Sequence, residues 1–88
     1  MKLLAEDFVT VTQTSQTLAQ LGVTVNSGIQ RLGLFPSGVV YRAFNKAAVI
    51  AQSGQVPLDG FSEPTDATTA GLLQFVAFNV KMAVRQYG

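Results

Sequence analysis

The chain has 88 residues, 48% of them apolar and only 12% charged, with a formal net charge of +1, no cysteine and no histidine. That length supports one core and not two. The missing residues exclude disulfides, thiolate chemistry and, with the five carboxylates poorly grouped, a structural zinc site; a near-neutral chain also lacks the basic patch of a nucleic-acid binder.

Residues 1–88 are expected to form one β-sandwich domain, with 1–6 able to serve as a flexible N-terminal arm. The opening "MKLLAEDF" offers one lysine and three apolar residues before two acids, too short for the apolar core of a signal peptide. It implies synthesis in the cytoplasm without an export signal of its own. "FVTVTQT", Phe8 to Thr14, is rich in Thr and Val, which fit a pleated surface and lose rotamer freedom in a helix; it predicts a first strand. In "LAQLGVTVNSG" (18–28), Leu18, Leu21 and Gly22 suit a helical turn ended by glycine, whereas Val23, Thr24 and Val25 suit a strand. Asn26-Ser27-Gly28 is a turn signal, and "IQRLGLF" (29–35) predicts a second strand stopped by Pro36-Ser37-Gly38.

Residues 38–54, "GVVYRAFNKAAVIAQSG", read two ways. A helix would put Val40, Phe44, Ala47 and Ala51 on one face, with Gly54 as its end signal. A hairpin would give "VVYRAF", a turn at Asn45-Lys46, then "AAVIAQ"; the β-branched and aromatic front favours strands. Residues 53–71 hold three glycines, two prolines and three acids, and predict a long connection with a brief extended piece at Val56 to Leu58.

From Val76 every second residue is apolar: Val76, Phe78, Val80, Met82 and Val84. This is the period of a strand with one buried face. The run is either one long strand or two joined near Asn79, and the five residues are expected to line the core opposite Leu32, Leu34, Val40 and Phe44. The apolar stretch 70–84 is interrupted by Gln74, Asn79 and Lys81, so no membrane span is expected. Several short strands separated by Gly/Pro/Asn turns make the expected fold class all-β, a compact antiparallel sandwich or barrel-like domain.

The chemistry-bearing residues are few. Without histidine or cysteine the usual general base and the strongest nucleophile are absent, and Glu6 and Asp7, adjacent on a strand, point to opposite faces. No catalytic residue, cofactor or metal is expected. Asp59, Glu63 and Asp66 share a loop and offer oxygen ligands of the kind calcium takes, but their spacing matches no known calcium loop. Phe44, Phe75 and Phe78 lie in apolar runs and are assigned to the core, while Tyr41 and Tyr87 are the side chains a glycan would stack on.

Charge is segregated along the chain. The acids sit at the N-terminus or in the 59–66 loop, while Arg31, Arg42, Lys46, Lys81 and Arg85 lie in the predicted strands and the Asn45-Lys46 turn between two of them. Asp59, Glu63, Asp66, Arg31, Arg42, Lys81 and Arg85 are therefore candidates for charge-complementary contact between subunits, or for pairing within one chain. A domain this small buries only roughly 60–65% of its unfolded surface, so association with copies of itself, as a homo-oligomer, or with a partner is the expected source of added stability.

"QTLAQLGVTVNSGIQRLGL", "VVYRAFNKAAVIAQSGQVPLDG" and the closing "LQFVAFNVKMAVRQYG" occur in an order and spacing that resemble small proteins encoded among the structural genes of tailed bacteriophages. Those chains also run from a "T-x-T" strand through "V-x-Y-R" and a "S-G-x-x-P-L" turn to a strand ending in "Y-G". The resemblance spans about Asp7 to Gly88 and implies a compact β-sandwich present in many copies on a virion. The role implied is a capsid decoration or cement protein bound to the major capsid protein and other virion proteins. The alternatives are a receptor- or glycan-binding module of a fibre or spike, or a tail or connector ring component. It also implies strands within 38–54, since "VVYR" falls in one there. The short "AFNVK" departs from the pattern, because similar chains often carry a longer glycine-containing turn at that point.

Overall fold

A computed structural model describes residues 1–88. The fold is all-β: two four-stranded antiparallel sheets pack face to face, with one short helix. In chain order the elements are β1 (Leu3–Val11), β2 (Gln16–Thr17), β3 (Arg31–Pro36), β4 (Val40–Phe44), β5 (Gly54–Gln55), β6 (Phe61–Pro64), α1 (Ala67–Gly71), β7 (Leu73–Ala77) and β8 (Val80–Tyr87). The first sheet has the order β1-β8-β3-β6 and the second β2-β7-β4-β5. Only β4 and β5 are both consecutive in sequence and neighbours in a sheet. Every other connection between consecutive strands carries the chain across the sandwich.

The core between the sheets is built from Val9 and Val11 of β1, Leu32 and Leu34 of β3, Met82 and Val84 of β8, Val40 of β4, and Leu73, Phe75 and Ala77 of β7. Leu18, Val23 and Ile29 join it from the irregular segment 18–30, and Val56 joins it just beyond β5. That segment forms neither helix nor strand. Its Asn26-Ser27-Gly28 turn is present, held by Gly28 N–H donating to Asn26 Oδ1 at 2.8 Å.

The C-terminal run is two strands in different sheets. β7 turns its odd-numbered residues inward and β8 its even-numbered ones, so the phase changes at Phe78-Asn79, where Asn79 takes φ 55°. Asn tolerates this left-handed conformation better than most residues. The apolar alternation from Val76 to Val84 therefore runs unbroken in sequence across a break in structure. Val80, Met82 and Val84 pack in or against the core, but Phe78 is 63% exposed at the corner. Val76 is buried on the opposite face of its sheet, against Ala43 and Ala48. Phe44, also expected inside, is 52% exposed at the end of β4.

Three further expectations are corrected. The first strand begins at Leu3 and ends at Val11, so residues 3–6 belong to the sheet and not to an arm. In "AAVIAQ" no strand forms: Ala51 takes φ 63°, and residues 45–53 fold as a loop over the outer face of the second sheet. Ala48 is small enough to tuck against Val76 there, and its N–H donates to Ser15 Oγ at 2.9 Å. The long connection 53–71 contains β6 and α1, the latter opened by Asp66, whose Oδ1 accepts from Thr69 N–H at 2.7 Å. A carboxylate acceptor at the N-cap satisfies a backbone donor that has no partner inside the helix.

Candidate functional site

The charged side chains form two stations, each an arginine paired with a carboxylate and stacked on a phenylalanine. On the outer face of the first sheet, Glu6 of β1 lies opposite Arg85 of β8. Arg85 Nε donates to Glu6 Oε2 at 2.6 Å, and its guanidinium lies 4.7 Å from the centre of the Phe35 ring. The Glu6 carboxylate, with the Tyr87 hydroxyl, holds the Arg85 pKa above its ordinary value. Phe35 can lie flat there because its neighbours are glycines. A Cβ on Gly33 would stand 2.8 Å from the ring, and one on Gly60, which has φ +78°, would stand 2.3 Å from it.

The second station joins the two sheets. Arg42 on the inner side of β4 makes a two-pronged pair with Glu63 on the inner side of β6, with Nη2 to Oε2 at 3.0 Å. The same guanidinium lies 4.8 Å from the Phe61 ring centre. Both partners are roughly a quarter exposed, so solvent reaches the pair.

The other predicted charges are scattered. Arg31 donates to the Ser62 hydroxyl and carbonyl, both at 3.1 Å. Asp66 caps α1, and the hydrogen bonds from Thr69 lower its pKa from the usual 3.8. Asp59 and Lys81 are exposed and make no side-chain pair. Asp59, Glu63 and Asp66 do not converge on a point where a cation would sit. Tyr41 packs beside the Ala43–Ala48–Val76 cluster on the second sheet, whereas Tyr87 lies on the outer face of the first, so the two do not form one stacking platform.

Beside the first station runs a trough of about 410 Å³ with Ala83 as its floor. Phe8 of β1 and Phe35 of β3 both pair with Ala83 of β8, so a small side chain lies between two large ones. Thr10, Ser37 and Lys81 line its other end. Phe8 is 78% exposed, an unusual position for so large an apolar side chain. The sequence held the signal for it: with Val9 and Val11 inward, the strand period sends Glu6, Phe8 and Thr10 outward together.

Gln86 is the functional-looking residue that pattern reading passed over. It is fully buried, in phase with Met82 and Val84. Its Oε1 accepts from Asn26 N–H at 2.7 Å and its Nε2 donates to the Thr24 carbonyl at 3.0 Å, so both ends of the amide clamp the 18–30 crossing. Ser15, the serine with the longest-range partners, donates to Gln74 Oε1 at 2.8 Å and accepts from Ala48; its hydroxyl is engaged in structure.

Compared with protein-family models, with curated proteins and with solved structures, the chain matches none. No helix is long and apolar enough to cross a membrane.

Proposed function

We propose that this chain is a non-enzymatic structural protein of a tailed-phage virion, a multi-copy decoration or cement protein that binds the assembled head. The observation that carries the reading is the distribution of its surface. The arginine–carboxylate pairs are internal ties, while Phe8, Phe78, Leu58 and Phe44, each more than half exposed, present apolar area on a charge-poor exterior. Such a surface favours lasting contact with neighbouring subunits over transient, steered encounters. A chain that binds the closed shell and not free coat protein stabilises the shell by mass action. The resemblance in segment order to small phage structural proteins supports the same reading.

The test is the composition of purified particles produced by the virus that encodes this chain. Its peptides should appear at a stoichiometry comparable to the coat protein. Particles from a deletion mutant should open at lower temperature and regain stability when purified protein is added back. Complete absence from wild-type particles overturns the proposal.

A further inference from the structure

Of the four sheet edges, three are short or interrupted: β2 and β5 are two residues each, and β6 is four residues ending in Pro64. The fourth, β1, is nine residues long and pairs only with β8. The direction of its unpaired backbone groups follows from its neighbour. The carbonyls of Lys81 and Tyr87 accept from Ser37 and Gln30, on the β3 side, so odd-numbered residues of β8 point their backbone groups towards β3. Even-numbered residues of β8 point theirs towards β1, where they meet Asp7, Val9 and Val11. Antiparallel strands alternate, so Glu6, Phe8 and Thr10 direct their N–H and C=O groups to the open edge. An exposed strand edge of this kind is a template for another strand.

We propose that this edge pairs with the β1 edge of a second copy, antiparallel and about a two-fold axis at Phe8. Charge and hydrogen bonding select that register. Centring on Glu6 sets two Glu6 carboxylates opposite each other, and centring on Asp7 does the same for Asp7, which is disfavoured in cross-strand pairs. Centring on Val9 or Thr10 calls on Thr12, which lies beyond β1 and whose carbonyl already accepts from Ala77 N–H. Centred on Phe8, each Glu6 faces the partner's Thr10 and Phe8 faces the partner's Phe8, engaging the open groups of Glu6, Phe8 and Thr10 in about six backbone hydrogen bonds. The two exposed phenyl rings then lie side by side on one face as a cross-strand aromatic pair. The four strands of each first sheet join into one continuous sheet, an isologous contact that closes and does not propagate. The pairing concerns this chain alone, so it goes beyond the virion reading and survives that reading's failure.

Sedimentation equilibrium of the full chain over a concentration series tests it. The expected result is a reversible dimer. Thr10→Pro removes an N–H that faces the edge and takes part in no internal ladder, so the variant should keep its circular dichroism while its dissociation constant rises at least about tenfold. Thr10→Glu, opposite the partner's Glu6, should weaken the dimer similarly and serves if the proline variant does not fold. Thr10→Lys should tighten it. In this cysteine-free chain, Phe8→Cys should cross-link as a dimer on oxidation, because hydrogen-bonded antiparallel partners lie about 5.5 Å apart, within disulfide reach. Monomers at all concentrations, open-ended polymers, or a dimer that Thr10→Glu does not weaken and Phe8→Cys does not cross-link would each overturn the proposal.

Discussion

Two side-chain ties hold this sandwich across its interior, and they are built from opposite chemistry. Gln86 is fully buried, neutral, and bonded at both ends to the backbone of the 18–30 crossing. Arg42 and Glu63 are charged, about a quarter exposed, and bonded to each other between β4 and β6. Where water is excluded, a neutral amide satisfies one donor and one acceptor without the cost of burying charge. Where water still reaches, an ion pair is tolerated but adds little, because solvent screens it. Burial depth thus decides which chemistry each tie can use.

The comparison breaks most clearly at Gln86. Gln86→Glu keeps the shape but replaces a donor with an acceptor, so the Thr24 carbonyl loses its partner when the carboxylate is ionised. At neutral pH the variant should lose about 4 kcal/mol by urea unfolding, the cost of a buried unpaired charge. Burial raises the folded-state pKa of the new carboxyl above its unfolded value. Protonation restores the donor, so the deficit relative to the native chain should shrink as pH falls through that raised pKa. A deficit that does not change with pH would mean that water already reaches the site. Gln86→Leu should cost less, about 2 to 3 kcal/mol and independent of pH, because it leaves the Asn26 N–H and the Thr24 carbonyl without partners but buries no charge.

How much of these ties was legible in the sequence follows from what a period-2 pattern encodes. The β-branched content and the Gly/Pro/Asn turns carry the all-β class, and "RLGLF" and "VYRAF" carry β3 and β4 almost to their ends. Alternation sorts the two faces within a strand but does not say to which sheet the strand belongs. Across Phe78-Asn79 the apolar alternation continues while the inward phase switches, which put Phe78 inside and hid the separate burial of Val76 on the outer side of its sheet. Phe44 failed for another reason: its position is in phase, but it lies at a strand end where it is only about half covered. The residue types of the ion pairs were visible as segregated charge, yet their partners were not. Glu6 and Arg85 are 79 positions apart and Arg42 and Glu63 are 21, distances bridged only by topology. Asp66 carried a local signal, an acid just ahead of "ATTAG", but five residues are too few to show a helical period.

The ionic tie should give the smaller effect. In a double-mutant cycle with Arg42→Met and Glu63→Gln, the coupling energy should be about 1 kcal/mol or less, and it should fall further in 1 M salt. The stacking of Arg42 on Phe61 is apolar in part, so Arg42→Met should retain some of that packing. Coupling well above about 2 kcal/mol that is insensitive to salt would place the pair in a drier environment than its exposure indicates and would erase the contrast with Gln86.

Asp66 should show the least effect, and it isolates charge at an exposed site. Its folded-state pKa lies below the usual 3.8 because the ionised carboxylate accepts the backbone N–H of Thr69. A depressed folded pKa means that the charged form contributes stability above the unfolded value, and that this contribution disappears as pH falls through the folded one. Asp66→Ala should therefore lower the melting temperature slightly at neutral pH, and the gap to the native chain should narrow in acid, as pH falls below the usual 3.8 and through the lowered folded value. Asp66→Asn keeps an acceptor at the N-cap without the charge, so its melting temperature should fall between those of the native chain and the alanine variant at neutral pH. If the native–alanine gap is the same at both pH values, the cap works through its geometry alone and the carboxylate's charge has no part in it.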